Sequence, residues 1–172
     1  MNTENKTNNE QAVLITGAST GIGYATALYL DKTGYKVYAS VRKETDKQKL
    51  LSKASSSLTP ILMDVCNEES VTKAYDQIEK ENDGQSFSLV NNAGVSLNGP
   101  LEILPFSDIQ MLLNVNVCGL LSVTKTFMPL IRKTLGRIVN ISSGHGLLAI
   151  PDKSVYAASK FAVQAISDSL RV

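Results

Sequence analysis

The chain has 172 residues, a length that predicts one domain. Hydrophobic residues make up 43% of it and charged residues 19%, which excludes a disordered chain and allows a packed core. The formal net charge of +1 excludes the strong basic field of a general nucleic-acid binder. Cys66 and Cys118 are too few for a disulfide framework, and their apolar neighbours predict reduced core positions.

The segment 1–10 is polar and rich in asparagine, and we predict that it forms a flexible tail. It has neither the apolar core of a signal peptide nor the composition of a transit peptide, so we expect a cytoplasmic protein. The sequence contains no run of about eighteen uninterrupted apolar residues, so we expect no membrane span. We also expect no metal site.

Short apolar runs alternate with helical patterns over 11–172, which predicts one domain of order βαβαβαβαβα. Predicted strands cover 12–16, 36–41, 60–65, 87–91 and 136–142, and predicted helices cover 21–33, 43–54, 68–81, 107–133 and 154–171. Pro129 is expected to kink the long fourth helix. Strands that alternate with helices predict a parallel sheet covered on both faces, which is the α/β, doubly wound Rossmann arrangement.

A glycine-rich turn, Thr16–Gly23 (TGASTGIG), follows the first predicted strand. Gly17, Gly21 and Gly23 lack side chains, so backbone N–H groups at the helix N-terminus could approach a pyrophosphate there. The spacing differs from the GxGxxG fingerprint and from the P-loop. An ordinary glycine-rich turn is the alternative interpretation.

Two further motifs lie after the fourth and fifth predicted strands. In Asn91–Gly94 (NNAG), the small last two residues would leave room for a cofactor ring or ribose, although asparagines also build ordinary turns. Tyr156 and Lys160 are four residues apart and share one face of a helix. The ammonium would stabilise a phenolate, so Tyr156 could act as a general acid/base; a surface Tyr–Lys pair is the alternative.

The TGxxxGxG turn, NNAG, an asparagine in the long helix and a serine thirteen residues before a YxxxK motif occur in one order. Together they resemble the classical short-chain dehydrogenases/reductases from Ala12 to the last residue. The stretches 129–140 and 159–171 resemble the branch that acts on retinoids, steroids and hydroxybutyrate. This resemblance implies an NAD(P)-dependent oxidoreductase that interconverts an alcohol and a carbonyl by hydride transfer. It also implies a small, apolar substrate and a homo-oligomeric full-length form.

The resemblance assigns four catalytic roles. Tyr156 resembles the acid/base that exchanges a proton with the substrate oxygen. Lys160 resembles the residue that assists this tyrosine and hydrogen-bonds the nicotinamide ribose. Ser143 resembles the serine that orients and polarises the substrate oxygen, which leaves Ser142 a structural role. Asn116 is similar to the asparagine that holds a water molecule in the proton relay.

The resemblance also implies contacts with the cofactor. The residues concerned are Gly17, Ser19, Thr20, Gly21, Ile22 and Gly23 in the turn, Asp64 and Val65 at the adenine, and Asn91, Ala93, Gly94, Tyr156 and Lys160 farther along. NAD-preferring relatives usually place an acid at the end of the second strand, where this chain has Val41 and Arg42. An arginine can hold a 2′-phosphate bidentately, so NADP is the preferred cofactor over NAD. A solvated surface arginine is the alternative.

Family members continue past the YxxxK helix through two more strands, whereas this chain ends at Val172. We therefore expect a domain whose C-terminal strands are missing. A truncated, catalytically weak nucleotide-binding or interaction module is the alternative function. A nucleotide-sugar epimerase would share YxxxK, but such proteins usually space the turn glycines as GxxGxxG, unlike this chain.

Overall fold

Five parallel strands form one sheet in the order β3-β2-β1-β4-β5 in the computed structural model, which describes residues 11–82 and 84–171. The strands are β1 (Gln11–Ile15), β2 (Lys36–Val41), β3 (Leu58–Leu62), β4 (Ser86–Asn91) and β5 (Ile138–Asn140). The strand order reverses between β1 and β4, which opens a crevice at the carboxyl ends of these strands. The predicted doubly wound Rossmann fold is confirmed, and the predicted tail 1–10 lies outside the described residues.

Helices connect the strands and cover both faces of the sheet. They are α1 (Gly21–Lys32), α2 (Glu44–Leu51), α3 (Glu68–Glu81), α4 (Phe106–Leu113), α5 (Leu120–Lys133) and α6 (Ser154–Ser169). One core contains Leu14, Phe87 and Phe127 and joins the sheet to α3 and α5. The other contains Val13 and Leu50 and joins the opposite face to α1 and α2. Apolar side chains therefore leave both faces of β1, as the continuous apolar run predicts.

Two strands differ from their predicted bounds. β3 begins at Leu58, earlier than predicted, because Leu58 already pairs with Val37 of β2, and the paired run ends at Leu62. Pro60 is tolerated within β3 because this strand lies at the edge of the sheet. β5 is shorter than the predicted 136–142, since its pairing with β4 covers three residues, 138–140.

The long fourth helix is continuous over Phe106–Lys133, and a π-helical turn over Asn114–Gly119 separates α4 from α5. This turn is the irregular part of the helix, whereas α5 runs across Pro129 from 120 to 133. This helix has 28 residues and contains an 18-residue stretch with a mean hydropathy of 1.3, so by length and composition alone it could cross a membrane. Core helices of soluble proteins have the same length and composition, and one face of α5 is buried in the core. The absence of a membrane span stays a prediction.

The prediction that both cysteines are core residues is wrong. Cys66 and Cys118 are free thiols, and both are exposed. Cys66 lies in the loop after β3, and Cys118 lies on the outer side of the π-helical turn. Their apolar neighbours in sequence, Val65 and Gly119, are the buried residues that face each other.

The outer edge of β5 is open in the described part of the chain, where β5 pairs with β4 and no other strand. An edge with unpaired N–H and C=O groups is a template for pairing with other chains, and Val139 on β5 is 49% exposed. We therefore expect a polypeptide of residues 1–172 to self-associate in a concentration-dependent way in size-exclusion chromatography. Val139→Lys should shift it toward the monomer, because a charge on an edge strand opposes pairing.

Val139→Thr is the matched control, since threonine keeps a β-branched side chain without adding charge. It should elute like the unchanged polypeptide. Elution of the unchanged polypeptide as a monomer at every concentration would show that this edge does not drive association.

Candidate active site

The turn between β1 and α1 is fixed to the two neighbouring strands. Ala18 donates its backbone N–H to the carbonyl oxygen of Ser40 at 2.8 Å, and Gly17 donates to the Ser40 hydroxyl at 3.2 Å. On the other side, the Thr16 hydroxyl accepts from the backbone N–H groups of Asn92 and Ala93, both at 2.9 Å. The turn is therefore held rigidly at the crevice between β1 and β4.

The turn glycines serve two different needs. Gly17 has a φ of +67°, and a Cβ there would lie 2.8 Å from the Cα of Ala93, so a side chain fits neither the conformation nor the space. Gly21 has a φ of +60°, but the space where its Cβ would point is open. Thr20 makes no side-chain cap to α1, and the first turn of α1 contains no acidic residue. These features fit a pyrophosphate, because uncapped N–H groups and the helix dipole favour an anion.

A cavity of about 420 Å³ begins at this turn and ends at α6. Most of the predicted site residues line it: Gly17, Ser19, Thr20, Gly21, Ile22, Arg42, Asp64, Val65, Ala93, Gly94, Tyr156 and Lys160. Four others do not: Gly23, Asn91, Asn116 and Ser143. The glycine turn and the Tyr–Lys pair are at least 133 residues apart in sequence, yet they share one cleft.

Gly23 and Asn91 lie beneath the cleft. A Cβ on Gly23 would collide with the Asn92 side-chain amide and the Gly17 carbonyl, so this glycine allows α1 to approach the β4 loop. Asn91 is buried and donates its side-chain N–H groups to Thr124 on α5 and Asn140 on β5, both at 2.9 Å. Asn91 thus ties β4 to its neighbours, whereas the resemblance implies a contact with the cofactor, and Asn91 does not line the cavity.

Tyr156 and Lys160 lie on one face of α6, as their spacing predicts. The Lys160 Nζ lies 5.9 Å from the centroid of the Tyr156 ring and donates to the carbonyl oxygen of Ile141 at 2.9 Å. Lys160 is 6% exposed, and this burial lowers the pKa of its ammonium group because desolvation disfavours the charged form. The lysine is therefore fixed between the end of β5 and the tyrosine.

Asn116 is buried behind the wall of the cleft and connects three segments of the chain. Its side-chain oxygen accepts from the Val95 N–H at 2.8 Å, and its side-chain N–H groups donate to the Val95 carbonyl at 2.9 Å and the Ser159 hydroxyl at 3.0 Å. It thereby joins the π-helical turn, the segment after NNAG and α6. Asn116 is 2% exposed, so its protein contacts fix its position.

The two serines after β5 have different partners. Ser142, to which the resemblance leaves a structural role, lines the cavity, whereas Ser143 does not. The Ser142 hydroxyl donates to the Lys160 carbonyl oxygen at 3.2 Å, which connects the end of β5 to α6. The Ser143 hydroxyl accepts from the His145 N–H at 3.2 Å and caps a short 3₁₀ turn, Gly144–Gly146. The His145 ring packs edge-on against the Tyr156 ring, with 5.8 Å between their centroids.

Sequence reasoning missed several residues that line the cleft: Ser40, Met63, Asn92, Val95, Ser96, Val115 and Ile141. Asn92 matters most, because its side chain donates to the carbonyl oxygens of Thr16 at 2.9 Å and Gly17 at 3.1 Å. These contacts join residues 75 or 76 positions apart in sequence. The repeated asparagine of NNAG was the available signal, since two adjacent amides can each serve a different strand.

Comparison with known proteins places the chain in a family. The family model described as short chain dehydrogenase matches residues 11–172. This chain belongs to the short chain dehydrogenase family. The resemblance inferred from the glycine turn and the YxxxK motif is thereby confirmed.

Relatives come from bacteria and mammals. A 3-amino-tetrahydro-pyrrolizinone reductase of Xenorhabdus hominickii is 38% identical over 162 residues, which cover 94% of this chain and 55% of the relative. A mitochondrial D-beta-hydroxybutyrate dehydrogenase of Rattus norvegicus is 38% identical over 168 residues, which cover 94% of this chain and 49% of the relative. A 3-ketodihydrosphingosine reductase of Bacteroides thetaiotaomicron is 38% identical over 161 residues, which cover 93% of this chain and 57% of the relative. The chain therefore spans about half the length of these relatives.

Solved structures share the fold. A short-chain dehydrogenase from Streptomyces avermitilis superimposes with a TM-score of 0.86 at 28% identity, over 93% of this chain and 59% of the other. A serine dehydrogenase from Escherichia coli does so with a TM-score of 0.87 at 29% identity, over 93% and 74%. Nearly all of this chain thus corresponds to part of a dehydrogenase domain.

Proposed function

We propose that this chain provides the cofactor-binding and catalytic part of an NAD(P)-dependent oxidoreductase that interconverts an alcohol and a carbonyl compound. The observation that carries the proposal is that Tyr156 and Lys160 line the same cavity as the glycine turn at the N-terminus of α1. A nicotinamide dinucleotide, when bound, supplies or accepts the hydride. Its reactive ring and a proton-transferring tyrosine must lie side by side, and one continuous cavity allows this.

Different residues along the cleft bind different parts of the dinucleotide. The uncapped N-terminus of α1 and the open face of Gly21 receive the pyrophosphate. Asp64 and Val65 line the adenosine end, where the Asp64 side chain is held by the Cys66 N–H at 2.9 Å. Ala93 and Gly94 line the opposite wall and leave space for a ribose.

The residues on α6 and after β5 carry the proton transfer. Tyr156 gives a proton to the carbonyl oxygen during reduction and takes one from the hydroxyl during oxidation. Lys160, held on the Ile141 carbonyl, places a positive charge beside the ring from which the proton is transferred. Ser143 donates a hydrogen bond to the substrate oxygen and so orients it, and because the Ser143 hydroxyl accepts from the His145 N–H, its own O–H remains available as a donor.

The proposal extends to the substrate and the setting of the protein. The relatives are named for small molecules with hydroxyl or carbonyl groups, such as hydroxybutyrate and 3-ketodihydrosphingosine. Leu147, Leu148 and Ile150 follow Ser143 closely and are 76%, 67% and 45% exposed, which favours a substrate with an apolar body. We also propose a homo-oligomeric, cytoplasmic full-length protein.

Two measurements test the proposed function. Calorimetric titration with NADPH and NADH should show saturable binding of at least one dinucleotide, while nicotinamide mononucleotide, which lacks the adenosine, should bind much more weakly. A panel of aldehydes and ketones should then oxidise the bound reduced cofactor. Binding without any turnover would favour the alternative of a nucleotide-binding module, and failure of both dinucleotides to bind would overturn the proposal.

Arg42→Asp should reverse the cofactor preference that we propose. Arg42 lines the cavity after β2, where it can pair with a 2′-phosphate, and an aspartate would repel that phosphate and accept from a free 2′-hydroxyl. We expect NADPH affinity to fall by at least about tenfold, because losing a charge-assisted pair costs about 1.5–3 kcal/mol. NADH affinity should stay equal or rise. Titration of both cofactors against both proteins measures the ratio.

Arg132→Asp is the matched control for Arg42→Asp. It makes the same change of charge on the exposed end of α5, outside the residues that line the cavity. The ratio of NADPH to NADH affinity should remain that of the unchanged protein. An unchanged ratio in Arg42→Asp itself would show that Arg42 is a solvated surface charge.

A further inference from the structure

Lys153 lies beside the proposed acid/base without a role in the reaction described above. It precedes the first residue of α6, is half-buried, and places its Nζ 5.5 Å from the centroid of the Tyr156 ring. The Nζ donates to the Asn98 side-chain oxygen and, at 3.4 Å, to the Ser96 hydroxyl. Both partners are neutral, so they solvate the charge of Lys153 without balancing it.

The ion pairs found among residues 11–82 and 84–171 are Lys47–Glu44, Lys73–Glu69 and Arg171–Asp168. Lys153 belongs to none of them. An ammonium group carries three donors, and the partners of Lys153 use two. A half-buried cation with a free donor and no carboxylate partner is suited to bind an anion from outside the chain.

The surroundings of Lys153 connect it to the reaction site. Ser96, which accepts from Lys153, lines the same cavity as Tyr156. The His145 ring packs on Tyr156, and its Nδ1 lies within hydrogen-bond distance of the Leu148 carbonyl oxygen, at 3.3 Å. Its Nε2 is therefore the ring nitrogen that remains for another contact. Lys153 and His145 do not themselves line that cavity, but both lie against the ring of Tyr156, which does.

We propose that Lys153, with Ser96 and His145, forms a subsite for the carboxylate of a hydroxy acid or oxo acid. This inference rests on the proposed function and names the substrate class of that same site. A single ammonium suits one carboxylate, whereas a phosphate dianion would call for more positive charge than these residues supply. The apolar residues Leu147 and Leu148 remain available for the carbon chain, so an apolar body and one acid group are compatible.

A structural explanation of Lys153 makes a different prediction. The segment 96–99 is also joined to the residues before α6 by the Gly99 N–H, which donates to the Asp152 carbonyl oxygen at 2.9 Å. If Lys153 served as a latch for this segment, its loss would weaken every substrate equally. Recognition of a carboxylate would instead distinguish an acid from its own ester.

The experiment compares oxo acids with their methyl esters. Pyruvate, acetoacetate and levulinate place the carboxylate at increasing distance from the carbonyl carbon, and each methyl ester keeps the shape but removes the charge. Kinetic constants and ligand-observed NMR binding are measured with the full chain, its proposed cofactor present. The variants are Lys153→Gln, Lys153→Arg and, as a control, Lys80→Gln on the exposed end of α3.

We expect at least one acid to have a kcat/KM about tenfold or more above that of its ester, since charge-assisted hydrogen bonds are about twice as strong as neutral ones. Lys153→Gln should remove this preference through KM and abolish the NMR signal of the acid. Lys153→Arg should restore most of both, and Lys80→Gln should change neither.

Equal kinetic constants for acid and ester in the unchanged protein, or equal losses for both in Lys153→Gln, would overturn the carboxylate subsite and leave the oxidoreductase intact. Turnover of no carbonyl compound would overturn the proposed function. The NMR comparison then decides the subsite by itself, because acid binding that depends on Lys153 supports it and acid binding that survives Lys153→Gln contradicts it.

Discussion

Tyr156→Phe should lower turnover by about 10²–10⁴-fold, the usual contribution of general acid–base catalysis. The variant removes the phenolic hydroxyl, which is the group that exchanges the proton, and keeps the ring. Lys160 stays on the Ile141 carbonyl and the edge of His145 still meets an aromatic ring. NADPH affinity should therefore change by less than about twofold, which is under 0.5 kcal/mol. Steady-state rates and calorimetric titration provide the two measurements.

Tyr29→Phe is the matched control for this variant. Tyr29 lies on α1, is 66% exposed and takes no part in the lining of the cavity, so its hydroxyl should be dispensable. Turnover of Tyr156→Phe at the level of Tyr29→Phe would show that another group transfers the proton. A large loss of cofactor affinity in Tyr156→Phe would show that the hydroxyl serves binding instead.

Local spacing explains why so much of the site could be predicted from the sequence. The glycine turn and the Tyr–Lys pair are set by the geometry of one turn and one helix, so their residues follow from neighbours in the chain. The order of strands and helices likewise implies that the carboxyl ends of parallel strands share one edge. Residues that follow β1, β2, β3 and β4 could therefore be assigned to one cleft before its shape was known.

Contacts between distant segments explain what could not be predicted. Thr16 and Asn92 hold the turn against β4 through hydrogen bonds across 75 or more residues. Asn116 was expected to hold a water molecule, and its three contacts with Val95 and Ser159 became visible once the π-helical turn was placed beside α6. Lys153 could not be singled out from the sequence, because a lysine before a helix is common and its contacts come from distant residues. Sequence spacing does not show which distant residues come into contact.

Gly17→Ala should lower both the free energy of unfolding and the affinity for NADPH, by more than the cost of the positive φ alone. At a φ of +67°, an L-residue costs about 1–2 kcal/mol, and the collision of its Cβ with the Cα of Ala93 adds an overpacking cost of about 1–3 kcal/mol. Relief of the collision moves the turn away from Ala93, which lines the cavity opposite it. We expect a loss of about 2–5 kcal/mol in the free energy of unfolding and at least a tenfold loss of NADPH affinity, or about 1.4 kcal/mol.

Gly84→Ala separates these two causes. Gly84 has a similar φ of +75°, but a Cβ there meets nothing within 4 Å, and the residue lies before β4 at the opposite edge of the sheet from the cavity. It should lose about 1–2 kcal/mol in urea unfolding and keep its NADPH affinity. Equal losses of stability in the two variants, with equal affinities, would mean that the turn yields to a side chain at Gly17. A larger loss of both in Gly17→Ala follows if the backbone of Ala93 cannot move, because Ala93 and Asn92 are both hydrogen-bonded to Thr16, next to the contact.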